Sequence, residues 1–150
     1  MTKLMRILLV MGYAGTIGAI AILSAPALAQ TQSRLWIRVM SDPQTGASHY
    51  FDKNSVVTTT NETGNDLKSF DSKIVFNRPG KTGLYSAIFN IQVNCQNRTM
   101  RSLRFEQYDV TDSLIAVDNL SNEWYGIPLN NTPNAMVMNG FYTLACHEPD

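Results

Sequence analysis

Two cysteines, two histidines and three regularly spaced arginines are the residues of this chain whose types and spacing suggest chemistry. Cys95 lies in the stretch Asn94 to Phe105, NCQNRTMRSLRF, with Arg98, Arg101 and Arg104 behind it at spacing three. A thiol beside cationic groups is the setting of a reactive cysteine, because positive charge favours the thiolate. Three arginines sharing a face would instead make a platform for an acidic partner. On a helix, spacing three aligns them. On a strand, the same spacing alternates faces, so Arg101 and Arg104 are expected to point opposite ways. The ordinary role of such strand arginines is a solvated pairing, here with Glu106 or Asp109. The sharper role is a positive surface for an acidic partner.

His49 and His147 are the only histidines. A nucleophilic arrangement would join His49 to Ser48 or Ser55, but a serine near a histidine is common and carries no specificity. A zinc site needs three or four suitably placed ligands. Two histidines separated by almost the whole domain do not supply them. The carboxylates are scattered, with no pair spaced for glycoside hydrolysis. Gly80-Lys81-Thr82-Gly83 resembles the end of a phosphate loop but lacks the upstream glycine at the required spacing. No catalytic residue, metal or cofactor is therefore assigned, and the chain is expected to be non-enzymatic.

The compartment decides how the cysteines are read. Lys3 and Arg6 precede an uncharged apolar stretch, Ile7 to Leu23, and Ala27-Leu28-Ala29 is a small-residue cleavage pattern before Gln30. An uncleaved anchor is the competing reading. The apolar run is short against the ~20 residues of a span, and Gly12, Gly15 and Gly18 interrupt it. The expectation is a cleaved signal peptide over 1–29 and a single domain over 30–150, with no integral membrane segment after cleavage. The product would be exported to the periplasm, secreted or held at the cell surface. No cysteine near the cleavage site could accept a lipid. Without Lys3 and Arg6 the 12 basic residues become 10 against 12 acidic ones, a net charge of −2. That balance gives no basic footprint for nucleic acid and no polybasic membrane anchor. In an oxidising compartment an even cysteine count suggests pairing. A Cys95–Cys146 bond would close a loop worth about 4 kcal/mol of chain entropy. Two free thiols or an intermolecular bridge are the alternatives.

The elements that must position these residues show mostly a period of two, the pattern of half-buried strands. Leu35 to Met40 is the first strand. Asp42 to Gly46 is a turn, and His49 to Asp52 returns as a hairpin partner, continuing toward Val56 and Val57. Asn61 to Asp66 is a polar loop. Lys73 to Asn77 is a short strand, and Arg78 to Gly83 a turn. Leu84 to Cys95 alternates most clearly: Tyr85, Ala87, Phe89, Ile91, Val93 and Cys95 share one face, with Ile88 the exception on the other. Met100 to Tyr108 follows, then a turn over Asp109 to Ser113 and a last strand over Leu114 to Val117. Thr132-Pro133 opens a helix as cap and first residue. Met136, Val137, Phe141, Leu144 and Ala145 recur at helical spacing, although Asn139-Gly140 weakens the pattern because glycine costs ~1 kcal/mol in a helix. The fold expected is α+β: about six antiparallel strands with a short C-terminal helix. Four tripeptides match the N-x-S/T acceptor pattern, at Asn61, Asn97, Asn119 and Asn130. They are taken as polar loops only.

The order of landmarks carries a resemblance. Trp36 in the first strand, HYFD after a glycine turn, an alternating strand ending in Cys95, RFEQYD, NEWYGIP from Asn122 to Pro128 and a helix-like tail ending at Cys146 resemble the surface-adhesin protein E family of small exported bacterial proteins. The resemblance implies an antiparallel sheet with a C-terminal helix tied to it by a disulfide, here Cys95 to Cys146. It also implies extracellular-matrix or envelope proteins as partners and a capacity to form a homodimer. The missing lipid-acceptor cysteine departs from the founding adhesin, which is a surface lipoprotein. Candidate partner contacts are Arg98, Arg101, Arg104, Trp124 and Tyr125. For the two aromatics, packing under the C-terminal helix is the competing role.

Overall fold

The computed structural model describes residues 33–147, and the expected signal peptide lies outside them. Three long strands set the frame: β4 (Asp66–Val75), β5 (Ser86–Asn94) and β6 (Thr99–Tyr108). β5 lies between the other two, antiparallel to both. β4 and β6 each carry two shorter strands end to end along the remaining edge. Beside β4 lie β2 (Ser48–Asp52) and β3 (Val57–Thr60). Beside β6 lie β7 (Leu114–Asn119) and the two-residue β8 (Tyr125–Gly126). β1 (Trp36–Ser41) pairs outside β2, giving the order β1-β2-β4-β5-β6-β7. The expected α+β architecture is observed, with six strands on this path and β3 and β8 in addition.

Two boundaries differ from the sequence-based expectation. The second strand does not run on through Val56 and Val57. A 3-10 turn over Lys53–Ser55 separates β2 from β3 and moves the chain along the edge of β4. Between these two partners the backbone of β4 would lose a ladder bond. Ser55 fills the gap: its Oγ accepts from the Asp71 N–H at 2.7 Å and donates to the Asp52 carbonyl at 2.8 Å. The second difference is that β4 begins at Asp66, seven residues before Lys73. Its first half escapes the alternation rule because Lys68 stands in register with core residue Val93, on the face where an apolar residue is expected.

One face of the sheet is covered by α1 (Pro133–Cys146). Phe51, Phe70, Ile91, Val93 and Met100 from the strands meet Val137, Phe141, Tyr142 and Ala145 from the helix, with Ile127 closing one end. Phe70 packs between Phe51 and Phe141, at centroid distances of 4.7 and 5.8 Å. Thr132 caps the helix by accepting from the Ala135 N–H, and Pro133 opens it. Met136, part of the helical recurrence, is exposed, whereas Tyr142 takes a core position.

The two residues that weakened the helical pattern have tertiary duties. A Cβ on Gly140 would come within 2.4 Å of Val39 Cγ1, so glycine is what lets β1 approach the helix. Asn139 donates from Nδ2 to the carbonyls of Pro128 and Ala135, at 2.9 and 2.7 Å, fixing the segment that leads into α1.

Candidate binding site

The turn between β5 and β6 holds the helix. Cys95 is bonded to Cys146, with the Cα atoms 5.7 Å apart. This is the helix-to-sheet disulfide that the sequence suggested. The Tyr142 hydroxyl donates to the Cys95 carbonyl at 2.9 Å. Arg98, in a left-handed backbone conformation with φ 51°, lays its guanidinium over the Tyr142 ring at 4.6 Å. It also donates to Asn139 Oδ1. The first arginine of the triplet is therefore committed to α1. Cys95 is half of a staple, not a thiol.

The other two arginines meet on the face that α1 leaves uncovered. This corrects the expectation that they point opposite ways. β6 contains a β-bulge: Arg101 stands opposite Gln92 and Arg104 opposite Asn90, while Leu103 has no counterpart. The extra residue cancels the half-period that separates positions three apart, so both arginines share the outer face. Arg101 is held by two hydrogen bonds to Gln92 Oε1, at 2.9 and 2.6 Å, and Gln92 donates in turn to Ser69 at 3.1 Å. Arg104 pairs with Glu106 at 2.7 Å, the pairing that the sequence suggested. Glu106 also accepts from the Tyr108 hydroxyl, and burial together with this carboxylate pushes the phenol pKa up.

Beside them the outer face is concave. A cavity of about 290 Å³ opens between Arg34, Asp71, Ile88, Asn90, Arg104 and Glu106. Arg34 pairs with Asp71 at 3.2 Å, and Asn90 donates to the same carboxylate at 3.0 Å. Ile88, the exception in the β5 alternation, is the apolar member of this wall. Sequence reasoning missed Arg34, Asp71 and Asn90. The apolar Ile88 on the polar face was the one signal that this face is structured.

Trp124 and Tyr125 do not pack beneath the helix. They are 39% and 42% exposed, on the segment that runs into β8. The Trp124 ring stacks on the Arg101 guanidinium at 4.5 Å. Tyr125 stands in register with Met100, with its hydroxyl 3.4 Å from Ser102 Oγ. A second cavity, of about 340 Å³, lies beyond Trp124 at this end of the face. Its wall brings together Asn61, Thr63, Asn97 and Thr99, so two of the four N-x-S/T tripeptides meet in one place.

The nucleophilic arrangement considered for His49 is not formed. Ser48 Oγ is engaged with Arg38 and Ser41, and Ser55 with the backbone of Asp52 and Asp71. His49 stands in register with Met40 and Ile74. Partial burial holds its pKa below the ordinary histidine value, and Asp42 pulls it part of the way back. Among the described residues no group of three or more His, Cys, Asp or Glu side chains has the arrangement of a metal site. No helix among them is long and apolar enough to cross a membrane.

Comparison with curated proteins and with solved structures returns no match in either case. The family model described as surface-adhesin protein E matches residues 36–141. That stretch runs from the first residue of β1 to Phe141 in the helix and includes Cys95, both outer-face arginines and the Trp124 segment. The match covers well over half of the sequence, and the chain belongs to the surface-adhesin protein E family.

Proposed function

We propose that the protein is an exported, non-enzymatic binding module whose partners are extracellular-matrix or envelope proteins. The observation that carries this reading is the uncovered outer face of the sheet. It presents Arg101, Arg104 and Trp124 beside a concave, charge-lined surface, with no second layer above them among the described residues. Tyr125, in register with core residue Met100, belongs to the opposite face and is left out of this set. Family membership supports the reading, because the family is named for surface adhesion. Arg98 is left out of the contact set, since its guanidinium is spent on α1. Arginine and aromatic side chains held rigid are the residue types that anchor protein interfaces. Arg101 and Trp124 brace each other before any partner arrives, which lowers the ordering cost of binding.

The test is saturable binding of the purified protein to immobilised matrix proteins and to isolated cell envelopes. The Arg101→Ala, Arg104→Ala double variant is expected to weaken that binding at least tenfold, a loss of about 1.4 kcal/mol. Absence of saturable binding to either surface would remove the adhesin reading. Cell fractionation addresses location. An entirely periplasmic pool would favour an accessory role within the envelope over contact with a host.

A further inference from the structure

The cavity beyond Trp124 differs in chemistry from the one beside Arg104. Every side chain lining it is uncharged, and its polar members are asparagines and threonines. Two of the asparagines are oriented by their own loops. Asn61 Oδ1 accepts from the Thr63 N–H, the Thr63 hydroxyl and the Asn65 N–H, at 2.8–3.1 Å. Asn94 Oδ1 accepts from the N–H groups of Gln96 and Asn97, at 3.1 and 3.0 Å. In both residues the carbonyl end is fixed by these donors, so the Nδ2 end is the one left over. Among the described residues no protein group bonds the Nδ2 amides of Asn61, Asn65, Asn94 and Asn97, nor the Thr99 hydroxyl. None of these atoms is among the buried groups left without a partner. The cavity thus holds several unspent hydrogen-bonding groups beside one aromatic ring.

A ring beside amides and hydroxyls, with no charge, matches the chemistry of a sugar. The C–H face of a pyranose packs on an aromatic ring, and its hydroxyls exchange hydrogen bonds with amide and hydroxyl side chains. An anion would find no cation to pair with. The nearest arginines are already committed, Arg98 to the helix and Arg101 to Gln92 and the Trp124 ring. A volume of about 340 Å³ falls in the range of roughly 300–1,000 Å³ of small-ligand sites. We propose that the cavity formed by Asn61, Asn65, Asn94, Asn97, Thr99 and Trp124 is a binding site for a neutral oligosaccharide, with Trp124 as the stacking platform.

This inference rests on the binding-module reading and names a ligand for one end of the same face. Isothermal titration calorimetry on the purified chain tests it with three probes. Chitotetraose stands for cell-wall glycan, N-acetyllactosamine for host glycan, and a heparin tetrasaccharide is the anionic comparison. Saturable binding of either neutral sugar is expected, and which of the two binds identifies the source. Trp124→Ala should weaken it about tenfold or more, Trp124→Phe should retain most of it, and Asn65→Ala should weaken it severalfold. Circular dichroism and the thermal midpoint confirm that the variants are folded. Three results would overturn the proposal: no saturable binding of either neutral sugar, binding of heparin alone, or equal binding by Trp124→Ala and the parent. The probes contain no protein, so a negative result leaves the protein-contact reading standing. Failure of the matrix-protein assay likewise leaves this one intact.

Discussion

At the scale of single residues, the side chains that looked reactive are structural, and the structural-looking ones shape the surface. His49 is the clearest titratable case. Its pKa is lowered, chiefly by burial, so the folded state favours the neutral imidazole. The unfolded chain titrates near 6.5. Stability from this group is therefore present above that value and is lost as pH falls below it toward the folded pKa. The stability difference between the parent and His49→Gln should shift in favour of the variant as pH is lowered from 8 to 5. Urea unfolding at both pH values reads this, and an unchanged difference would refute it. Gly140 makes a different residue-scale prediction. Alanine there gains helix propensity of up to ~1 kcal/mol, but its methyl meets Val39 Cγ1 in a packed contact. Overpacking costs typically about 1–3 kcal/mol, so Gly140→Ala should be destabilising by about 1 kcal/mol net. Adding Val39→Ala should recover the clash, giving a non-additive double-mutant cycle. Additive effects would mean that the close approach is not what glycine serves.

At the scale of elements, legibility followed how well each strand obeys its own period. β5 was readable because Ala87, Phe89, Ile91 and Val93 face the core without interruption. The turns at Asp42 and Asp109 were readable because their mechanism is local. Asp42 accepts from the Gln44 N–H and the Thr45 hydroxyl, and Asp109 accepts from Thr111 and Ser113. These hydrogen bonds lower both carboxyl pKa values. The first half of β4 was not readable, because its pairing is with distant β3 and β5 and its core face includes Lys68. Nor was the shared face of Arg101 and Arg104, since a bulge is a relation between two strands and leaves no mark in one of them. The disulfide partner was legible from cysteine count and compartment, but the Arg98–Tyr142–Asn139 contacts around it were not. The 3-10 turn between β2 and β3 supplies the prediction at this scale. Ser55→Ala removes the hydroxyl that accepts from the Asp71 N–H at the gap between β2 and β3. An unpaired buried donor costs about 1–3 kcal/mol, and the Asp71 amide should also lose hydrogen-exchange protection. Unchanged protection would show that water replaces the hydroxyl without loss.

At the scale of the whole molecule, the sheet has one covered face and, among the described residues, one open one, so α1 is the layer that completes their core. Its Val137, Phe141, Tyr142 and Ala145 are in the same buried cluster as Phe51, Phe70, Val93 and Met100. If the helix detached, the inner face would be left in water and no second core would remain to hold the sheet. Helix and sheet should therefore unfold together, with or without the staple. The bond between Cys95 and Cys146 spans 51 positions, and the chain-entropy model gives about 4 kcal/mol for a loop of that size. The Cys95→Ala, Cys146→Ala double variant should lose stability of that order. It should still unfold in a single transition, seen alike by tryptophan fluorescence and far-UV circular dichroism. The contacts of Arg98 and Tyr142 persist in the variant, which is why the helix should stay docked until the whole domain opens. Two separated transitions, with helical signal lost first, would show that the disulfide alone keeps the layer in place. The outer face should report the same coupling. Arg98 and Arg101 lie three residues apart on one turn-and-strand segment, so loosening α1 would also disturb the Trp124 bracket. A ligand of that face should therefore stabilise the domain against unfolding in proportion to the logarithm of its concentration once it exceeds Kd. A folded Arg98→Ala variant, which removes the contacts of Arg98 with Tyr142 and Asn139, should lose affinity on that face. Full affinity in it would place the face and the helix in separate energetic units.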